Sequence, residues 1–138
     1  MILYLDTSAL VKLLRIEQGS ELVGKAAEAA AALAASTLAR IEVHSALARL
    51  LREGQPSESV RASLVAFETL WKAVAQVQMD RAVDAACGLC HKHPIRTLDA
   101  IHLASALSLG DDLDSFVVYD VRLAEAARIA GLRVERPS

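Results

Sequence analysis

The sequence predicts one α/β domain, with a mostly parallel sheet covered by helices on both faces. Three observations carry this. Short apolar runs alternate with helical patterns from one end to the other. The length of 138 residues fits a single domain, 1–138, large enough to bury a core without disulfides or a structural metal. No repeat or linker interrupts the alternation. Strands separated by helices need crossover connections, which favour parallel pairing with both sheet faces buried.

The elements follow in order. Residues 2–5 are apolar and end at Asp6, and a helical pattern begins at once, with Leu10, Leu13 and Leu14 on one face. Gly19-Ser20 punctuates, and Ser20 is expected to cap a helix from Glu21 to about Ala30. A short strand is expected at about Leu33–Ser36. Ser36-Thr37 then offers an N-cap for a long helix through Arg52, stopped by Gly54-Gln55-Pro56. Residues 57–71 read as a helix, Ala73–Val77 as a short strand and Asp80–His91 as a helix. Pro94 interrupts, and Thr97 is expected to cap the helix Leu98–Leu109, which Gly110 ends. The acidic turn Asp111-Asp112-Leu113-Asp114 leads to a strand at Phe116–Tyr119. Asp120 starts the helix Val121–Ala130, Gly131 stops it, and Leu132–Val134 makes a last strand.

Hydrophobic residues make up 54% of the chain and charged residues 23%, the balance of an ordered globule. No apolar run approaches the ~20 residues that span a bilayer. The opening Met1-Ile2-Leu3-Tyr4-Leu5-Asp6 lacks a basic region and a small-residue cleavage site, so it reads as a strand, and a cytoplasmic location is expected. The net charge of −2 argues mildly against a general nucleic-acid binder. That objection weakens where carboxylates hold divalent cations, which reverse the local field.

Ligands of open parallel sheets bind beyond the carboxyl ends of the strands. Asp6 and Asp120 each follow an apolar strand, Glu42 lies in the helix after the second strand, and Asp99 lies in the first turn of a later helix. This layout would let four carboxylates converge at one sheet edge, a donor set suited to hard cations such as Mg²⁺ or Mn²⁺. Each acid also has a plainer reading. Asp6 and Asp120 fit helix N-caps, Asp99 suits the positive end of a helix dipole, and Glu42 fits a solvated helix face. Taken one at a time, the spacings leave both readings open.

Four segments taken together narrow the choice. Leu5-Asp6-Thr7-Ser8-Ala9-Leu10-Val11-Lys12-Leu13, Ser36-Thr37-Leu38-Ala39-Arg40-Ile41-Glu42 and Thr97-Leu98-Asp99-Ala100-Ile101-His102-Leu103-Ala104 resemble three signature blocks of PIN-domain proteins. Val118-Tyr119-Asp120 and the residues through Ala127, with Gly131 four residues on, resemble the fourth. The blocks run in the family's order and span the chain. Their likeness is greatest to VapC-type toxins of type II toxin–antitoxin pairs. The resemblance implies a three-layer α/β/α sandwich, Mg²⁺- or Mn²⁺-dependent endoribonuclease activity, a cognate antitoxin and a homodimer. It makes Asp6, Glu42 and Asp99 the core catalytic and metal-binding acids, Asp120 a fourth and more variable one, and Thr7 or Ser8 an auxiliary hydroxyl. Family members often carry Thr or Ser two residues before the fourth acid, where this chain has Val118.

Lys12, Arg15, Arg40, Arg49, Arg96 and Arg122 are candidate RNA contacts, two or three of which are expected to serve. Cys87-Gly88-Leu89-Cys90-His91 spells a haem-attachment pattern, with His93 as a further metal-ligand type, but the cysteines fall i,i+3 on a helix and no haem is expected. His102, three residues after Asp99, is expected to be a packed helical histidine. Two rival functions fit an acid after a strand in an α/β sheet. A phosphoacceptor signalling domain would want an acidic pair after the first strand and a late lysine, both absent. A non-catalytic PIN-like interaction module remains the stronger alternative, with the four acids speaking against it.

Overall fold

Ile2–Leu5 forms the central strand, β1, because alternate side chains find an apolar partner on each face. Leu3 and Leu5 point to one layer and Tyr4 to the other, and all three are buried. The computed structural model, which describes residues 1–138, continues from β1 through α1 (Thr7–Leu14), α2 (Ser20–Ala29), β2 (Ala32–Ser36), α3 (Leu38–Arg52) and α4 (Ser57–Trp71). Then come β3 (Ala75–Val77), α5 (Met79–Lys92), α6 (Thr97–Leu107), a 3-10 turn (Gly110–Asp112), β4 (Leu113–Val117), α7 (Val121–Ile129) and β5 (Val134–Glu135). No helix is long and apolar enough to cross a membrane.

All strand pairs are parallel, in the order β3-β2-β1-β4-β5. The chain thus builds outward from β1 through β2 to β3, then returns to the other side of β1 for β4. That reversal opens a crevice beyond the carboxyl ends of β1 and β4, the usual ligand position in such sheets. Helices cover both faces, giving the three layers. One core joins Leu3, Leu5 and Val117 to α1, α3 and α4 through Leu10, Val43, Leu47, Phe67 and Trp71. The other joins Tyr4, Phe116 and Val118 to α5, α6 and α7 through Leu89, Leu103 and Leu123. Tyr4 stacks on Phe116 with ring centroids 5.2 Å apart, locking the two central strands together on that face.

The structure departs from the sequence expectations at several boundaries. β4 starts at Leu113, three residues early, and passes through an irregular register in which Ile2 and Leu3 face Leu113 and Ser115. It ends at Val117 because β1 has already turned at Asp6, whose N–H takes the Val117 carbonyl. β5 falls at Val134–Glu135, where it meets Phe116 and Val117. β3 is shorter than expected.

Of three expected helix caps, those of Ser20 and Thr97 do not form, and that of Ser36-Thr37 falls to Ser36. Gly19, at φ +89°, precedes α2, and a side chain there would meet the Pro137 carbonyl oxygen at 2.5 Å. Ser20 instead donates its hydroxyl to Arg15 O and accepts from Glu17 N–H, closing the turn before the helix. At α3 the first turn is held by Ser36, which accepts from Leu38 N–H, while the Thr37 hydroxyl accepts from Met79 N–H and ties α5 to α3. Thr97 makes no cap bond at α6.

Candidate active site

β1 delivers Asp6 to the sheet edge and stops there, since the Asp6 carboxylate caps α1. Its Oδ1 accepts from Ala9 N–H at 2.9 Å and from the Ser8 hydroxyl at 2.7 Å. Its Oδ2 makes no hydrogen bond within the chain. Asp120 repeats the device after β4, with Oδ1 accepting from Leu123 N–H at 2.8 Å at the start of α7. Glu42 lies in α3, one turn beyond the end of β2. Its Oε1 accepts from both the Thr7 hydroxyl and His102 Nε2, each at 2.6 Å, and its Oε2 is left without a partner. α6 runs back toward β4, so its first turn, with Asp99, lies at the same edge.

Capping and metal binding were competing readings of Asp6 and Asp120 in the sequence; the geometry is compatible with both at once. One oxygen of each carboxylate fixes the backbone; the other is unpaired in Asp6 and meets Arg96 in Asp120. The N-termini of α1, α6 and α7 meet at this edge, and their unpaired N–H groups favour negative charge. Val118 does not loosen this arrangement. Its side chain is fully buried in the core beneath α6 and α7, and Asp120 is held by its cap and by Arg96.

The electrostatics are those of carboxylates in want of a cation. Burial pushes the Asp6 carboxyl above the ordinary range against the pull of its Ser8 and Ala9 hydrogen bonds, and Asp99 pushes it the same way. Burial raises Asp99 too, with Asp120 adding to the effect and Arg96 opposing it. Burial also acts to raise Glu42, but the bonds from His102 and Thr7 outweigh it and hold that carboxyl below its ordinary value. No three acidic or imidazole side chains close on a common point. Instead the Arg96 guanidinium lies between two of the acids, 3.5 Å from Asp99 Oδ2 and 3.3 Å from Asp120 Oδ2. Glu42, Asp99 and Arg96, with Thr97 and Leu98, line an open cleft of ≈ 380 Å³. The unpaired oxygens of Asp6 and Glu42, the raised carboxyls of Asp6 and Asp99 and the guanidinium drawn in between Asp99 and Asp120 fit a hard divalent ion.

A family model described as the PIN domain matches residues 3–129. The chain belongs to the PIN domain family. It is 39% identical over 135 residues to Ribonuclease VapC45 of Mycobacterium tuberculosis, covering 96% of this chain and 94% of that one. It is 37% identical over 136 residues to Ribonuclease VapC46 of the same species, covering 99% and 98%. Among solved structures, a toxin–antitoxin complex from Klebsiella pneumoniae superposes with a TM-score of 0.67 at 17% identity, covering 98% of this chain and 97% of that one.

The six candidate RNA-contacting cations of this PIN domain separate into two groups. Lys12 is tied to Glu17 and the Gln18 carbonyl and lies 4.4 Å from the Tyr119 ring centroid. Arg15 sits past the far end of α1 and bridges to Ser59 and Ser63 of α4. Arg40 pairs with Glu68. These three are committed within the protein. Arg49 shares a groove with Thr7 and Glu42, Arg96 lies between Asp99 and Asp120, and Arg122 borders Asp120. His102 is the packed helical histidine expected, but its tie to Glu42 and any part for Tyr4 went unread in the sequence. His102 is buried and reaches Glu42 on one side and the Tyr4 hydroxyl, at 2.8 Å, on the other. The signal available was the spacing of Asp99 and His102, i,i+3 on one helix face.

The raised carboxyls make a stability prediction. An acid with a higher pKa in the folded chain costs stability as pH rises from its ordinary value through the raised one. In EDTA at neutral pH, Asp99→Asn should therefore melt above wild type. The gap should close as pH falls below the ordinary carboxylate range, about 4. Thermal melts across that range check it; an Asn variant melting below wild type at neutral pH contradicts the repulsion.

Proposed function

We propose that the chain is an endoribonuclease toxin that uses Mg²⁺ or Mn²⁺ and is neutralised by a cognate antitoxin in the cytoplasm. The observation that carries this is the division of labour within the carboxylates. Asp6, Glu42 and Asp120 each spend one oxygen on positioning, at a sheet edge where Asp99 joins them. The names of the relatives, both ribonucleases, supply the substrate class.

Asp6, Glu42 and Asp99 are the residues proposed to hold the ion, with Asp120 as an auxiliary. The bound cation supplies Lewis acidity toward water and the scissile phosphate. The remaining steps fall to the chain. The Thr7 hydroxyl fixes Glu42, and Ser8 fixes Asp6. Arg49, Arg96 and Arg122, which lie beside these acids, are the cations proposed to receive the phosphates on either side of the cut. In-line attack by water leaves a 5′-phosphate and a 3′-hydroxyl and needs no 2′-hydroxyl, so preference for RNA arises in binding.

A second copy of the chain is proposed as a further partner. Its support is a groove between the end of α1 and α4, lined by Leu14, Ile16, Ala62 and Ala66, with Ile16 fully exposed.

Two experiments test these readings. Purified protein free of antitoxin should cut structured RNA with Mn²⁺, stop in EDTA and yield 5′-phosphate ends; Asp6→Asn should abolish cleavage with the fold intact. Cleavage that persists in EDTA or in the variant removes the proposal. For self-association, light scattering should find a dimer that Ile16→Asp converts to monomer; a monomeric wild type discards that partner.

A further inference from the structure

We infer that Tyr4 and His102 form a buried positioning relay that turns Glu42 so that one oxygen is held by the protein and the other faces the crevice. The inference rests on the reading of Glu42 as a metal-holding acid and adds two residues to its control.

Hydrogen-bond directions along the relay follow from counting donors. Ser36 N–H, at the end of β2, donates to the Tyr4 hydroxyl oxygen at 3.1 Å. A phenol keeps its proton at neutral pH and has it to donate. His102 Nδ1, at 2.8 Å, accepts it. With Nδ1 accepting, the ring carries its proton on Nε2, which points at Glu42 Oε1 at 2.6 Å. Thr7 donates to that same oxygen from the opposite element. Two donors on Oε1 fix the carboxylate rotation and leave Oε2 unpaired. The relay thus connects β2, β1, α6 and α3 in one line from a backbone amide to a carboxylate.

A histidine needed only to fill the core would be served by any side chain of similar volume. Here both ring nitrogens are used, in a position 2% exposed, beneath Glu42, whose side chain is 21% exposed. The hydrogen-bonding groups around the ring are Tyr4, Thr7 and Glu42. Partners that orient a ligating carboxylate from behind typically change metal affinity by about 10- to 100-fold when removed.

Four proteins measured side by side test the relay: wild type, His102→Leu, His102→Gln and Tyr4→Phe. Calorimetric titration with Mn²⁺ reads affinity without any turnover. His102→Leu should weaken Mn²⁺ binding by about 10-fold or more. His102→Gln, whose side-chain amide can donate where Nε2 did, should restore it to within a few-fold, and Tyr4→Phe should fall between. In RNA cleavage the losses should appear in kcat, with KM for RNA unchanged. Should His102→Leu fail to fold, Tyr4→Phe against wild type decides the matter. Folded variants that bind Mn²⁺ as wild type does overturn the relay, as does a loss in His102→Leu that Gln leaves uncorrected. A wild type without Mn²⁺ affinity overturns the metal reading itself, a result distinct from failure of the relay alone.

Discussion

Like charges gathered at one edge of a sheet repel each other, and the structure around that edge is organised to offset the repulsion. Burial raises the Asp6 and Asp99 carboxyls, and the neighbouring charges of Asp99 on Asp6 and of Asp120 on Asp99 add to the effect. Helix N-termini, hydroxyls, the His102 ring and the Arg96 guanidinium each supply part of the missing positive field. Their sum holds the carboxylates without neutralising them. Oxygens left unpaired on Asp6 and Glu42 mark where the compensation stops.

The fold is what makes such crowding feasible. Parallel strands put all their carboxyl ends on one side, and the reversal of strand order at β1 parts the helices there. The two cores anchor the edge from beneath. Tyr4 belongs to both descriptions. Its ring stacks on Phe116 in the core, while its hydroxyl begins the line of hydrogen bonds that reaches Glu42. Rigid support of this kind is what a metal-binding carboxylate needs, since a loosely held ligand loses affinity to its own freedom.

Much of this was legible in the sequence because it depends on local pattern. The alternation of Ile2–Leu5 around Tyr4, the apolar runs and the acids at strand ends gave the layers and the edge. Strand β4 was misjudged because Asp114 and Ser115 look like turn residues, whereas they lie in an irregular stretch paired to β1. Gly19 was overlooked as a cap because its need arises from Pro137, more than a hundred residues away. Lys12 and Arg15 looked like free cations until Glu17, Ser59 and Ser63 were seen to engage them. His102 was legible only as a packed helical residue, since Tyr4 is 98 positions distant and Glu42 is 60. Contacts between remote segments leave no periodic trace, and the errors fall where such contacts decide.

The most direct test of this account is crystallographic. Crystals soaked in Mn²⁺ and measured at the manganese absorption edge locate the ion and its ligands by anomalous scattering. The expected peak lies beside Asp6, Glu42 and Asp99, with Glu42 contributing Oε2 while Oε1 keeps Thr7 and His102, and with Arg96 displaced from between the acids. A peak elsewhere, or a Glu42 that abandons His102 to reach the ion, would contradict it.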